Sequence, residues 1–265
     1  MRTLIFGDVV AKPGRKAIAA ILPRWKAEYQ PDLVIANAEN LAHGAGASVG
    51  TLEELKKAGV DLFTSGNHIW DKNVIPLLED PDGVVLRPAN YPPMNPGRGI
   101  KQLTVAGQQV VVINLLGRVF FRESVDCPFR TADALLADLK AMSPRPIILV
   151  DFHAEASSEK MALGRYLEGR VTAFWGTHTH IPTADATIWP GRTAYLTDVG
   201  MTGLVDSIIG ANKEAIIKMF LSQTPSRTMH DTTENGPVSV NAMLLELDDA
   251  GTPVSWRRLQ EVVTV

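Results

Sequence analysis

The sequence is poor in cysteine and in long apolar runs. Cys127 is the only cysteine among 265 residues, so no intrachain disulfide and no cysteine cluster for a metal can form. No apolar stretch approaches the roughly 18–20 residues that span a bilayer. The apolar run in the first ten residues is too short for a secretory signal and has no small-residue cleavage site. We therefore predict a cytoplasmic protein with no membrane partner.

The sequence also lacks a surplus of basic residues. Lys and Arg number 26 against 29 Asp and Glu, a net charge of −3. This balance argues against the broad electropositive face that binds long nucleic acid, although a local basic patch remains compatible with it. No glycine-rich loop ends in Gly-Lys-Ser/Thr, so P-loop chemistry on nucleoside triphosphates is not supported.

Apolar strands alternate with amphipathic helices in the first quarter of the chain. The predicted strands are 4–6, 33–36 and 61–64, and the predicted helices between them are 14–29 and 51–58. This β-α-β-α-β order predicts a parallel sheet covered by helices. Pro23 predicts a kink or an early stop in the first helix. Thr51 and Glu54 have capping-box spacing at the start of the second.

The rest of the chain predicts a second group of strands. Residues 88–99 are rich in Pro, Gly and Asn and form a predicted loop. The strands predicted after it are 101–105, 109–115, 147–152, 171–175, 195–197, 238–247 and 253–263, and the helices are 131–142, 157–168 and 212–222. Thr131 is the predicted N-cap of the first of these helices. Two packed sheets flanked by helices satisfy this order, and the lack of repeats or linkers predicts one domain over residues 1–265.

Polar residues that can bind metals follow five of the predicted strands. In chain order these are Asp8, Glu39-Asn40, Asn67-His68, His153 and the pair His178 and His180. Ligands of open α/β sheets bind beyond the carboxyl ends of the strands, so these five segments should meet at one rim. Four of the six histidines lie in them, and imidazole is the commonest transition-metal ligand. The pattern therefore predicts a metal site.

Each segment taken alone also has an ordinary structural explanation. Asp8 could be the N-cap of the following helix, and Glu39-Asn40 could form a solvated turn. Asn67-His68 could belong to a turn with an exposed imidazole, and His153 could be a surface salt-bridge partner of Asp151 or Glu155. Five such coincidences in one chain are much less probable than one shared site.

The motifs resemble the calcineurin-like metallophosphoesterase superfamily. They are GD at 7–8, GNH at 66–68, the lone His153 after a strand, and GTHTH at 176–180. The chain is more closely similar to a bacterial branch of 2′,3′-cyclic nucleotide phosphodiesterases. That similarity runs through GDVVAKPGR, NAENLAHGAG, SGNHIWD, NLLGR, DFHAEASSEK and GTHTHIPTAD, in this order over nearly the whole chain. It implies a four-layer α-β-β-α sandwich.

The resemblance implies two metal ions and a role for each motif residue. The first metal would take Asp8, Glu39, Asn40 and His180. The second would take Glu39, Asn67, His153 and His178, with Glu39 as the bridge. His68 would face the substrate as general acid. The chain departs from the wider superfamily at two places, because Val10 stands where D-x-H has its histidine and Glu39 replaces the usual bridging Asp.

The implied activity is hydrolysis of small cyclic phosphodiesters by a metal-bound hydroxide. The substrates would be 2′,3′-cyclic nucleotides, with 3′,5′-cyclic nucleotides as further candidates. The resemblance implies iron, and the mixed oxygen and imidazole donors also suit manganese or zinc. It allows a homo-oligomer, although no apolar stripe requires one.

Two alternatives and two unassigned features stay open. A phosphomonoesterase or short-oligonucleotide nuclease would use the same metals, and a regulatory interaction protein would keep them as a structural site. His68 argues against the last, because a structural site needs no unliganded imidazole. Arg118 is either a phosphate donor or half of a surface ion pair. Residues 198–203 are candidates for pocket lining without an assigned role.

Overall fold

The computed structural model describes residues 1–80, 83–224 and 233–265, and these form twelve strands and six α-helices. The strands are β1 (Arg2–Val9), β2 (Leu33–Asn37), β3 (Leu62–Thr64), β4 (Ile100–Val105), β5 (Gln108–Leu116), β6 (Ile147–His153), β7 (Ala173–Thr177), β8 (Thr187–Ile188), β9 (Ala194–Leu196), β10 (Met201–Leu204), β11 (Pro237–Leu247) and β12 (Pro253–Thr264). The helices are α1 (Ala11–Tyr29), α2 (Val49–Ala58), α3 (Ile75–Leu78), α4 (Pro128–Leu139), α5 (Ser157–Leu167) and α6 (Lys213–Ser222), and a 3-10 helix covers Asn67–Trp70.

The strands form two six-stranded mixed sheets. The first has the order β12-β11-β10-β1-β2-β3, and the second has the order β4-β5-β6-β7-β9-β8. In the first sheet β10, β1, β2 and β3 run parallel, whereas β11 and β12 are antiparallel to their neighbours. In the second sheet β5, β6, β7 and β9 run parallel between antiparallel edge strands. Each sheet therefore has a parallel centre whose carboxyl ends can carry a site.

Alternation along the strands divides the apolar core into three layers. Ile5 belongs to the cluster between the two sheets, whereas its neighbours Leu4 and Phe6 pack with residues of α1 such as Leu22. On the outer face of the second sheet, Phe152 packs with Leu163 of α5 in a third cluster. Since successive side chains of a strand point to opposite faces, both sheets are covered on both sides. This order of layers confirms the predicted α-β-β-α fold.

Two predicted helix starts and the early stop predicted at Pro23 are wrong for local reasons. Helix α1 continues through Pro23 to Tyr29, and Pro23 is exposed on its solvent side. The capping box of α2 pairs Ser48 with Thr51, so the cap lies three residues before the predicted one. Helix α4 begins at Pro128 rather than after Thr131, since proline is well tolerated in the first helical turn.

Strand β10 was not predicted as a strand. It pairs in parallel with β1 and antiparallel with β11, and all four of its residues are buried. Its sequence, Met-Thr-Gly-Leu, has neither an apolar run nor a clear alternation, so periodicity could not identify it. No helix in the described part of the chain has the length and apolar character needed to cross a membrane.

Candidate metal centre

The carboxyl ends of both sheets meet at one place. Asp8 is the last residue but one of β1, and Glu39 follows β2, both in the first sheet. His153 ends β6 and His178 follows β7 in the second sheet. The backbone N–H of His178 donates to Oδ2 of Asp8 over 3.0 Å, and Nε2 of His153 lies 3.1 Å from Oε1 of Glu39. These contacts join segments that are more than a hundred residues apart in the chain.

Three side chains at this junction are arranged to hold a metal ion. One ligand atom from each of Glu39, His153 and His178 lies within 4.8 Å of the other two. Nδ1 of His178 is 3.0 Å from Nε2 of His153, so the two imidazoles direct nitrogen atoms at the same point. These are three of the four residues predicted for the second metal. The four predicted for the first metal do not form such a cluster among the described residues.

Three predicted ligands carry a buried oxygen that has no hydrogen-bond partner. The atoms are Asp8 Oδ1, Asn40 Oδ1 and Asn67 Oδ1, and Oε1 of Glu39 faces the His153 ring alone. Buried acceptors are normally satisfied, because an unpaired one costs about 1–3 kcal/mol. Carboxylate and amide oxygens are suitable ligands for divalent ions, and they supplement the two imidazoles. The donor set therefore fits a metal better than it fits a site filled by protein hydrogen bonds.

Gly66 lies directly against the centre. A Cβ atom at this position would collide with the His153 ring and with Oε2 of Glu39. The absence of a side chain therefore leaves room beside the ligand atoms, and glycine has a steric reason to precede Asn67.

A hydrogen-bond chain behind His153 fixes the orientation of its ring. Thr177 donates its hydroxyl proton to Oδ1 of Asp151 over 2.8 Å, and its oxygen lies 2.9 Å from Nδ1 of His153. Thr64 donates to the other oxygen of Asp151. Since the Thr177 hydroxyl donates its proton to Asp151, the Thr177 oxygen must accept in the other bond. Nδ1 of His153 is therefore protonated and donates to Thr177. Nε2 is then the nitrogen directed at the metal centre, as in carboxylate-supported metal ligands.

His178 and His180 lie in a strained segment. Their φ angles are 102° and 64°, in the left-handed region that residues other than glycine rarely adopt. Nε2 of His178 is 3.1 Å from Oε2 of Glu155, and Nδ1 of His180 is 2.7 Å from the carbonyl oxygen of Ile209. Such strain persists only where surrounding contacts impose it.

A buried ion pair supplies those contacts. The side chains of Lys160 and Asp198 are at most 1% exposed, and Nζ of Lys160 lies 2.6 Å from Oδ2 of Asp198. The same oxygen accepts hydrogen bonds from the backbone N–H and the hydroxyl of Thr179, over 3.2 and 2.8 Å. Thr179 stands between the two histidines, so the ion pair holds the middle of the strained segment.

His68 lies beside the centre but is not one of the three clustered ligands. Its backbone N–H donates to Oε2 of Glu39 over 3.1 Å, whereas its imidazole is 39% exposed. Nδ1 lies 2.7 Å from Oδ2 of Asp71, which orients the ring. The ring of Phe121 covers another side of the centre, with its centroid 4.7 Å from that of His178.

The ordinary explanations of three single segments are wrong. Val10 rather than Asp8 is the N-cap of α1, and Asp8 is fully buried. Glu39 and Asn40 are 1% and 3% exposed, so they do not form a solvated turn. His153 is also fully buried and cannot be a surface salt-bridge partner.

Comparison with known proteins agrees with the motifs. The family of YmdB-like proteins matches residues 4–259. The chain is 44% identical over 250 residues to the 2′,3′-cyclic-nucleotide 2′-phosphodiesterase of Bacillus subtilis, covering 94% of this chain and 92% of the relative. The chain belongs to the YmdB-like family.

Solved structures of relatives share the whole fold. A hypothetical protein from Thermus thermophilus has a TM-score of 0.90 at 43% identity, with 99% of both chains covered. A phosphatase from Mycoplasma pneumoniae has a TM-score of 0.91 at 34% identity, covering 99% of this chain and 93% of that one. The predicted resemblance is thereby confirmed.

Several residues that support this YmdB-like site were not predicted as part of it. Thr177 and Lys160 lie inside the quoted motifs GTHTH and DFHAEASSEK, but nothing in those motifs indicates which partners they contact. Asp198 opens the segment that had no assigned role. A buried lysine facing a buried aspartate is a contact between distant segments, and no local periodicity reveals it.

We predict that Glu39 controls the protonation of His153 in the metal-free protein. Burial alone would lower the pKa of His153, but Glu39, with Asp8 and Asp151, raises it to about 8. This stabilisation is fully present below the ordinary pKa of 6.5 and is lost as the pH rises through 8. In Glu39→Gln the pKa of His153 should fall, because burial lowers it and the negative charge of Glu39 no longer raises it.

NMR titration of imidazole resonances in chelator-treated protein measures this change. The exposed His43 serves as the reference resonance, since it lies outside every predicted ligand set. His178 should stay neutral far into the acid range, because burial and the neighbouring His153 lower its pKa to about 3. An unchanged pKa for His153 in Glu39→Gln would contradict the assigned contact.

We also predict that the Lys160–Asp198 pair fails when one partner is removed. Lys160→Met leaves the Asp198 carboxylate buried without its cation, which should destabilise the fold by about 3–5 kcal/mol. The double variant Lys160→Met, Asp198→Asn removes both charges and should recover part of the loss. Urea unfolding of the metal-free proteins measures this, and equal stabilities for the two variants would contradict the pairing.

Proposed function

We propose that this chain is a metal-dependent phosphodiesterase that hydrolyses small cyclic nucleotides, with 2′,3′-cyclic nucleotides as its main substrates. The observation that carries the proposal is the cluster of Glu39, His153 and His178, together with the buried oxygens of Asp8, Asn40 and Asn67 that have no hydrogen-bond partner. The activity for which the B. subtilis relative is named supports the substrate class, because the two chains match nearly end to end. A cytoplasmic location and a homo-oligomeric state belong to the same proposal.

Two ions would be held by the seven predicted ligands. Asp8, Glu39, Asn40 and His180 form the proposed first set, and Glu39, Asn67, His153 and His178 form the second. The proximity of Glu39 to His153 and His178 supports the second set. The effect of His180 on the pKa of the buried Asp8 supports the nearness of these two members of the first. Iron is the proposed metal, and manganese and zinc suit the same donors.

The charges of the ligands favour an anionic substrate. Asp8 and Glu39 are the only anionic residues among the seven, so two divalent ions would leave a surplus of about two positive charges. At ~4 Å and an effective dielectric near 20, each surplus charge attracts a phosphodiester by about 4 kcal/mol before desolvation. This attraction is local, so the net charge of −3 is no obstacle.

The side chains around the centre divide the chemical work. When bound, the ions would polarise the phosphate and acidify a water molecule. His68 would deliver a proton to the departing ribose oxygen, and Asp71 would hold its ring in place. Phe121 would exclude water from the side of His178 that it covers. Asp151 and Thr177 would keep Nε2 of His153 directed at the metal.

The proposal is tested by comparing substrates with and without chelator. The metal-loaded protein should hydrolyse adenosine 2′,3′-cyclic phosphate, and chelator should abolish the activity. A 3′,5′-cyclic nucleotide, a linear dinucleotide and a phosphomonoester form the comparison set. The Mycoplasma relative is called a phosphatase, so a preference for the monoester is the second candidate outcome. Activity on none of the four would contradict the proposal.

His68→Ala should separate proton transfer from metal binding. We expect turnover to fall by about 10²–10⁴-fold, the usual contribution of a general acid, while metal content stays unchanged. His43→Ala is the matched control, because it removes an exposed imidazole that no ligand set includes. Steady-state kinetics and elemental analysis are the measurements. Loss of metal from His68→Ala would instead make this residue a ligand.

A further inference from the structure

A cleft beside the candidate metal centre has no role in the mechanism above. Its volume is about 740 Å³, within the range of small-molecule sites. Its lining includes Arg87 and Tyr91 from the loop that precedes β4, and Arg118, Asp126 and Arg130 from the chain that follows β5. The cleft lies at the end of β5, on the same edge of the second sheet as the metal centre.

The backbone of 117–121 connects the cleft to the centre. Gly117 donates its N–H to the carbonyl oxygen of His153 over 2.9 Å, and the Phe121 ring packs against His178. Arg118 lines the cleft and is three residues from Phe121, a span of at most ~10 Å of chain. A substrate whose ester lies at His178 can therefore reach the cleft with its adjoining part.

Two of the three arginines in the cleft are free to bind an anion. Arg87 is buried and donates to backbone carbonyl oxygens, including that of Pro88 over 2.8 Å. Arg118 and Arg130 are exposed, and within the described ranges their guanidinium groups make no ion pair or hydrogen bond. The surface ion pair predicted as an alternative for Arg118 is therefore not formed there. Asp126 is the carboxylate of the lining, so positive charge predominates.

The segments that carry these arginines are held in place by hydrogen bonds to their backbone. The Glu159 carboxylate accepts the backbone N–H groups of Arg118 and Val119, over 3.0 and 3.2 Å. Asn90 donates from its side chain to the carbonyl oxygens of Leu116 and Asp126, over 2.7 and 3.0 Å. A recognition site built on a held backbone loses less entropy when a ligand binds.

We infer that this cleft binds a second phosphate group of the substrate, on the 5′ side of the ribose that carries the cyclic ester. The inference rests on the proposed function and narrows its substrate class to nucleotides or short RNA ends that bear a further phosphate. Guanidinium groups match phosphate oxygens in geometry and charge. The net charge of −3 and the limited size of the cleft favour a short substrate.

Three substrates test the inference with wild-type protein. They are adenosine 2′,3′-cyclic phosphate, the same nucleotide with a 5′-phosphate, and a diadenosine ribonucleotide ending in a 2′,3′-cyclic phosphate. The second and third should exceed the first in kcat/KM by about fivefold or more, an advantage that should shrink as salt is raised. A gain with only one of them identifies whether the cleft prefers a terminal or an internucleotide phosphate.

Arg130→Gln should reduce that advantage by about fivefold, and Arg118→Gln should act in the same direction. Arg122→Gln is the matched control, because Arg122 is exposed on the same segment but does not line the cleft. All three positions are exposed, so thermal melting should be unchanged. The inference would be overturned if the ratio of kcat/KM between substrates with and without the further phosphate were equal in the wild type and both cleft variants.

Equilibrium binding keeps the test independent of turnover. Calorimetry should show that adenosine 3′,5′-bisphosphate binds more tightly than adenosine 3′-monophosphate, and that Arg130→Gln removes most of the difference. If no substrate is hydrolysed but this difference appears, the proposed function fails while the phosphate cleft stands. If the substrates are hydrolysed but the bisphosphate and the monophosphate bind equally, the cleft assignment alone is overturned.

Discussion

The contact between Glu39 and His153 is the interaction on which the candidate site depends. It joins a carboxylate from the first sheet to an imidazole from the second, over 3.1 Å and with both side chains at most 1% exposed. An ionised carboxylate in such a place is costly unless a cation or a donor compensates it. Although burial opposes its ionisation, His153 lowers the pKa of Glu39 to about 2. The contact forms only when the two sheets are packed against each other, so this packing does not depend on a bound ion.

The surrounding structure keeps this junction from relaxing. The apolar cluster between the sheets, which includes Ile5 and Trp175, sets their separation. The Asp151–Thr177 chain holds His153, and the Lys160–Asp198 pair holds the strained turn that carries His178. Ligands held in this way lose little entropy when they bind an ion, so affinity and geometry follow from the same contacts.

The sequence predicts the parts of this arrangement that repeat locally. Apolar runs at 33–36 and 147–152 correspond to buried strands because strands covered on both faces need apolar side chains at every position. Polar residues directly after these strands correspond to the site because parallel strands end at one edge. The family resemblance supplied the allocation of ligands, which the residues alone left open.

Features that depend on contacts between distant segments could not be predicted from the sequence. Strand β10 exists because β1 and β11 offer it partners, and its own four residues carry no strand signal. Helix α1 continues through Pro23, which lies on its exposed face, against the local prediction of a stop. Lys160 and Asp198 are 38 residues apart, and only the folded chain brings them into contact. In each case tertiary structure overrides or completes the local pattern.

Metal content is the most direct test of the central claim. Elemental analysis of the purified chain, loaded with iron or manganese and then dialysed, should find about two ions per chain. Gly66→Ala should retain far less metal, because its Cβ atom would occupy the space between His153 and Glu39. A folded wild-type protein that retains no ions, or a Gly66→Ala variant that retains the full amount, would contradict the account.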